Sequence, residues 1–399
     1  MVFSVREDFN NAFKRERYDA FLRALEADLG EAPAFRVAET PVFIPQYLKS
    51  KLLRAVDDVI RVIAAPGFLE ASEGAIPEHL RVPGETKHPH FIQLDFGICS
   101  DDQGLLTPML IELQGFPSLY GYQHVLAQAY QRHFDLPEGY AHLPEGLGHQ
   151  AYVGLLERII LGDEKPEHVV LLEIEPEQQN TRVDFWATRN MLGIPVVCLS
   201  KVEKDGRQLF YRNDYGQRVA IHRIYNRIIF DELERRADLP RQWNMVDPVD
   251  VQWTGHPNWF FRMSKHTLPS LKSEFVPETH FLDRLKHLPE DLHNWVLKPL
   301  FSFSGMGVKV DVTPDDINAI SQPDQFILQR KVSYAPALRT PDPKESAKCE
   351  IRMMMVWDEQ WPAPRLANNL VRLSKGAMVG VRYNHGKEWV GSSVAFFES

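Results

Sequence analysis

Apolar residues recur at helical spacing from Arg6 to about Ala65, first as Tyr18, Phe21, Leu22, Leu25 and Leu29, then as Leu48, Leu52, Leu53, Val56, Ile60 and Ile63. This predicts a helical N-terminal region, broken by Pro41 and Pro45 and ended by Pro66-Gly67. The pattern then changes to strands. Asp95-Phe96-Gly97 and Leu110-Ile111-Glu112-Leu113-Gln114 suit a hairpin turning through Ser100 to Thr107, followed by a helix from Tyr122 to about Phe134. His168 to Ile174 is apolar enough for a buried strand. A helix from Gln179 to Leu192, a turn at Gly193 and a second strand to Leu199 complete the signature of a βαβ unit with parallel strands. A strand around Val219 to Tyr225 and a helix from Ile228 to about Arg236 close this layer, and Pro240 to Pro257 is predicted to be a linker rich in Pro and Trp. Glu350 to Trp357, Ala367 to Leu373 and Glu388 to Phe397 alternate as in an antiparallel sheet.

Bulk properties narrow the classes without choosing one. The 399 residues, 44% hydrophobic and 25% charged, suffice for two or three lobes around separate cores. A net charge of −9 disfavours broad nucleic-acid binding, which needs a basic surface. No apolar run approaches the ~20 residues that cross a bilayer, and the first residues lack the features of a signal peptide. Cys99, Cys198 and Cys349 are scattered and form no Cys-x-x-Cys, which suits a reducing compartment and predicts a cytoplasmic protein.

The candidate chemistry begins at the hairpin. Side chains of a strand alternate between faces, so Glu112 and Gln114 share one, and the hairpin brings Asp95 beside them. Two carboxylates and an amide oxygen form an oxygen-rich set suited to Mg²⁺, which keeps its other positions for water and nucleotide phosphates. The same residues also fit the solvent face of an ordinary hairpin. A second segment, Asn294 to Val310, reads as a strand delivering Lys298, a Ser/Gly loop and another strand from Val308. Gly305 and Gly307 allow close backbone approach, Ser302 and Ser304 offer hydroxyls, and Lys298 offers a point charge to phosphate. The segment is neither a Walker loop nor a dinucleotide fingerprint. A third piece, Gln325 to Val332, is a short apolar strand turning polar at its end, where Gln329 or Lys331 would meet a base or ribose. Lys265, on an expected helix, would clamp the phosphates from the other side. Read singly, each lysine fits a solvated surface charge; their order along the chain gives them weight.

In that order the chain resembles the circularly permuted ATP-grasp family, in which the synthetase domain of glutathionylspermidine synthase belongs. The resemblance runs from about Phe91 to the C-terminus and implies an α/β (α+β) fold. It implies that Asp95, Glu112 and Gln114 hold magnesium, with Gln114 where the family has Asn. It also implies that Lys265 and Lys298 bind the nucleotide, that Ser302 to Gly307, Met306 included, form the phosphate loop, and that Gln329, Arg330, Lys331 and Val332 form the adenine hinge. Val219 to Ile229 is similar to the family strand ending in a Tyr-Arg-Arg-like sequence. Gln93 departs from the pattern, standing where glutathionylspermidine synthase has arginine.

The organisation expected is a helical region over 1–80, a metal-binding part over 81–150, a small parallel α/β domain over 151–245 and nucleotide-binding lobes over 246–399. The activity expected is an ATP- and Mg-dependent ligase that joins a small-molecule or peptide carboxylate to an amine through an acyl phosphate. Arg227, Arg352 and Arg372 are candidates for the carboxylate or acyl phosphate, since a guanidinium fork matches both; each also suits a structural pair with Asp or Glu. Two alternatives stay open: a non-catalytic nucleotide-binding protein of the same fold, and a small-molecule kinase.

Overall fold

The architecture is built on an antiparallel sheet in which the strand Phe91–Ser100 lies between Leu106–Gln114 and Ser346–Val356, followed outward by Arg365–Ser374 and Gly391–Ser393. The computed structural model describes residues 3–143, 147–302, 305–342, 344–376, 379 and 384–399. Along Phe91–Ser100 the residues Ile92, Leu94, Phe96 and Ile98 alternate with Gln93, Asp95 and Gly97, so the two sets face opposite ways. The apolar set packs against the amphipathic helix Gln46–Ile63 through Leu48, Leu52, Ala55, Val56, Val59 and Ile63. Ile351, Met353, Met355, Val371 and Leu373 of the neighbouring strands join the same core. Each large aliphatic side chain buried there contributes about 1.5–3 kcal/mol. Burying this face fixes the register, because a one-residue slip would turn every apolar side chain outward.

A second sheet, of parallel strands, has the order Gln252–Thr254, Arg223–Asn226, Val169–Glu173, Val196–Cys198. Val169–Glu173, the helix Arg182–Leu192 and Val196–Cys198 form the βαβ unit that the spacing predicts, and Gly193 ends the helix in the left-handed region at φ 71°. Two expectations are corrected here. The stretch read as a linker supplies the strand Gln252–Thr254, too short to show a period in sequence yet fixed by its buried Trp253. The single strand expected over Val219 to Tyr225 is two, Arg218–Ile221 in a small antiparallel ribbon and Arg223–Asn226 in the parallel sheet.

A third, smaller antiparallel sheet orders Thr279–Phe281, Phe326–Arg330 and Trp295–Pro299 over a core of Leu282, Leu292, Trp295, Leu297, Val312 and Leu328. No strand begins at Val308; an isolated bridge between Leu297 and Lys309 takes its place. Lys265 lies not on an α-helix but on the 3-10 segment Lys265–Ser270. The last strand expected, Glu388 to Phe397, divides at Val394 between two sheets: Gly391–Ser393 edges the central sheet, while Ala395–Glu398 runs parallel to Val42–Ile44. Gly391 permits the turn, because at φ 120° any side chain there would run into the Arg36 carbonyl. The ends of the chain therefore pack together. Strands from 91–114 and 346–393 share one sheet although more than two hundred residues separate them.

Candidate functional site

Register alone gathers the charged residues. Asp95 stands opposite Glu112 on one side and Arg352 on the other, while Gln93 stands opposite Gln114. Two residues along, Gly97 stands opposite Glu350, which in turn stands opposite Arg372. With a period of two, Gln93, Asp95, Glu112, Gln114, Glu350, Arg352 and Arg372 all lie on the face turned away from the Gln46–Ile63 helix. A register shift between Asp95 and Phe96 leaves Ile111 as the extra residue of a bulge, and the Ile111 carbonyl is reached by a residue from another sheet.

That carbonyl accepts from Lys298. The ammonium donates to Ile111 O at 3.0 Å and to Gln329 Oε1 at 2.6 Å, and Gln329 donates onward to Thr279 Oγ1 at 3.0 Å. Lys298 is 8% exposed and no carboxylate lies within 4 Å of its Nζ among the described residues. Burial pushes its pKa down to about 8, against the fields of Glu112 and Glu350 and aided by that of Lys265. Lys265, also buried, pairs with Glu112 at 2.8 Å and donates to the Ser302 carbonyl at 2.6 Å. Both lysines thus bind the small sheet and the loop after it to the edge of the central sheet.

Asp95 is engaged on both oxygens. Arg352 donates through Nε to Oδ1 at 2.6 Å and through Nη2 to Oδ2 at 2.7 Å, and Arg372 Nη2 donates to Oδ2 at 2.6 Å. Burial alone would raise this carboxyl; the two guanidiniums override it and hold it at about 2. Gln93 occupies the third arm of Arg352 and donates to the carbonyls of Phe116 and Ser118. It acts as a spacer between the arginine and the next loop.

Other expected site residues are placed as follows. Arg227 directly follows the strand Arg223–Asn226 of the parallel sheet and is not on this face: it donates to Asp184 at 2.6 Å, and Asp184 also accepts from the N–H groups of Leu119, Gly121 and Tyr122. At the expected hinge, the N–H groups of Arg330 and Lys331 already donate to Glu278 O and Asn294 O, and their side chains pair with Asp291 and Asp311; Val332 follows in a half-buried loop. In the expected phosphate loop, Gly305 and Gly307 have positive φ of 71°, and at Gly307 a Cβ would lie 2.8 Å from Pro299 Cγ. Met306 is 39% exposed, and Ser304 lies outside the described residues.

Glu350 and Tyr334 were missed. Glu350 lies 3.2 Å from Arg372 Nε and accepts a short bond from the Tyr334 hydroxyl; burial raises its pKa, with Arg372 opposing. A signal existed, since Glu350 and Arg352 are two apart on a strand whose alternate residues, Ile351, Met353 and Met355, are apolar.

Two buried polar atoms, Gln114 Oε1 and Ser302 Oγ, have no hydrogen-bond partner, and both residues line a cavity of about 20 Å³ with Glu112, Lys265, Phe116 and Phe260. Such a space suits one water and is far below the ~300 Å³ of a ligand pocket. The residues fit the phosphate end of a nucleotide in donor type: the Lys265 ammonium and the Ser302 hydroxyl line the cavity, and Lys298 lies near enough to feel the charge of Lys265. They fit magnesium only in part. Glu112 and Gln114 remain as oxygen donors, Asp95 is occupied by guanidiniums, and no cluster of three His, Cys, Asp or Glu suited to a metal is found among the described residues.

No family model matches the chain, and no curated protein does. Among solved structures it is similar to a glutathione synthetase like-effector from Globodera pallida in apo form, with a TM-score of 0.60 at 10% identity over 100% of this chain and 99% of that one. It also aligns with a "Putative gamma-glutamylcysteine synthetase" from Methylobacillus flagellatus, with a TM-score of 0.40 at 12% identity over 84% of this chain and 85% of that one. The first likeness extends over both chains almost entirely, so this mixed α/β protein shares the fold of that glutathione synthetase like-effector.

Proposed function

We propose that the protein is an ATP-dependent carboxylate–amine ligase of circularly permuted ATP-grasp type, acting on small-molecule or peptide substrates. The observation that carries this reading is Lys298, a buried ammonium held by neutral acceptors, with no carboxylate within 4 Å among the described residues, in the field of Glu112. Burying a cation without a counter-ion is costly, and an anionic ligand would relieve that cost. Lys265 and the Ser302 hydroxyl would receive the same phosphate chain. Opening the cleft requires the small sheet and the Ser302 loop to move from the central sheet, exchanging the Lys265–Glu112 pair for contacts to ligand.

Magnesium, held by Glu112 and Gln114, would neutralise phosphate charge during transfer. Arg372 would bind the acceptor carboxylate, whose oxygen takes the terminal phosphoryl group and releases ADP. An amine then displaces phosphate from the acyl phosphate, forming the amide and leaving its proton to solvent or phosphate. Positioning and charge stabilisation supply most of the catalysis. The hinge role of Gln329 to Val332 and the narrower resemblance to glutathionylspermidine synthase belong to this same proposal.

The test is ADP release from Mg-ATP with amino acids, small peptides and polyamines supplied in pairs. Turnover that requires both a carboxylate and an amine, and is lost in Lys298→Ala, is the expected result. A second reading, a nucleotide-binding protein without turnover, is favoured by the occupation of Asp95. ATP that raises Tm yet yields no ADP with any pair would select it, and no Tm shift at millimolar ATP would remove both.

A further inference from the structure

We propose that Asp95 is an internal counter-ion, a positioning residue that fixes Arg352 and Arg372 so that Arg372 presents an open edge to a carboxylate or phosphate group, and that it is not a metal ligand. The division of donors between the two arginines is unequal. Arg352 is consumed by the protein: Nε and Nη2 go to Asp95 and Nη1 goes to Gln93. Arg372 spends Nη2 on Asp95 and holds Nε 3.2 Å from Glu350 without a hydrogen bond, while its Nη1 makes no hydrogen bond among the described residues, and its side chain is 37% exposed against 6% for Arg352. One guanidinium is therefore structural and the other keeps a free donor at the surface of the site.

The geometry disfavours a cation at Asp95. A magnesium ion sits ~2.0–2.1 Å from its oxygens. Both Asp95 oxygens already accept from guanidinium nitrogens at 2.6–2.7 Å, so a metal would have to displace at least one arginine from a buried position and then lie beside it. An anion need displace neither arginine. Two guanidiniums there face two carboxylates, Asp95 and Glu350, the latter 3.2 Å from Arg372 Nε and accepting from the Tyr334 hydroxyl, so it is the open Nη1 edge of Arg372 rather than an excess of positive charge that would receive it. The oxyanion would accept from Arg372 Nη1 without breaking the Asp95 contacts. This anion-receiving role rests on the proposed ligase reading; the counter-ion role does not.

The experiment is a double-mutant cycle on the apo protein with Asp95→Asn and Arg372→Leu, read by thermal unfolding. Losing the counter-ion of a buried guanidinium is strongly destabilising, so Asp95→Asn is expected to lower Tm by about 4 °C, and Arg372→Leu to cost less in the Asp95→Asn background than in the wild type. Additive shifts would overturn the proposal. A second measurement, Mn²⁺ affinity by electron paramagnetic resonance with a non-hydrolysable ATP analogue, needs only the partly exposed Arg372→Leu variant. Affinity within about twofold of wild type is expected; a rise of fivefold or more would mean that Arg372 competes with metal for Asp95 and would refute it. If the analogue does not bind at all, the ligase reading fails, and the apo cycle still decides the role of Asp95.

Discussion

Raising the pH from 7 to 9 removes the charge of Lys298 while the lysine stays in place, and this tests the site directly. Its pKa lies near 8 because burial outweighs the attraction of Glu112 and Glu350, whereas an exposed lysine titrates at 10.5. The sign follows from proton counting. Between about pH 8 and 10.5 the unfolded chain binds more protons than the folded one, so this group's contribution to stability rises with pH through that window; below pH 8 its penalty, about 3 kcal/mol, is fully present. An anion bound at Nζ raises the lysine's pKa again, so binding takes up a proton. If only the protonated form binds, the competent fraction falls from about nine tenths at pH 7 to about one tenth at pH 9, and Kd rises ~tenfold. Ionisation of the terminal phosphate, near pH 6, is complete by then. Calorimetry with ATP at pH 7, 8 and 9, in two buffers of different ionisation enthalpy, measures both affinity and proton uptake. Expected are a ~tenfold weakening, uptake of about half a proton at pH 8, and loss of the pH dependence in Lys298→Arg, whose guanidinium stays charged. A Kd flat from pH 7 to 9 in the wild type, or a slope that survives in Lys298→Arg, would refute the placement of phosphate at Lys298.

Arg227→Leu should lower unfolding stability by about 3 kcal/mol in urea titrations, because Arg227 and Asp184 are 4% and 0% exposed and the change leaves a buried carboxylate without its ion partner. Gly97→Ala should cost about 1–3 kcal/mol by thermal unfolding, because its Cβ would lie 2.8 Å from the Tyr334 ring and 3.2 Å from Ile111 Cδ1, both packed against the sheet face; unchanged stability would show that Tyr334 is not fixed there.

Much of the architecture was legible because it rests on local periodicity. Leu48, Leu52, Val56 and Ile63 recur at helical spacing, and Ile92, Leu94, Phe96 and Ile98 at strand spacing, so helix and strand each declare a buried face. The βαβ unit was legible for the same reason, with Gly193 marking its turn. Shorter elements were not. Gln252–Thr254 spans less than two periods, and the division at Val394 depends on which sheets happen to lie alongside.

The sequence by itself determined which residues share a face: alternation puts Gln93 with Asp95, Glu112 with Gln114, and Glu350 with Arg352, whatever the partners of their strands. It also determined that Lys265 and Lys298 approach from a separate part of the chain. Only the tertiary structure decided what each charge meets. Asp95 and Arg352 are 257 positions apart, and they touch because the apolar faces of two distant strands bury against one helix and fix their register. A carboxylate on a strand reads the same in sequence whether a metal or a guanidinium will face it. The choice is made by the strand that pairs beside it, and that pairing is a property of the whole core rather than of any local segment.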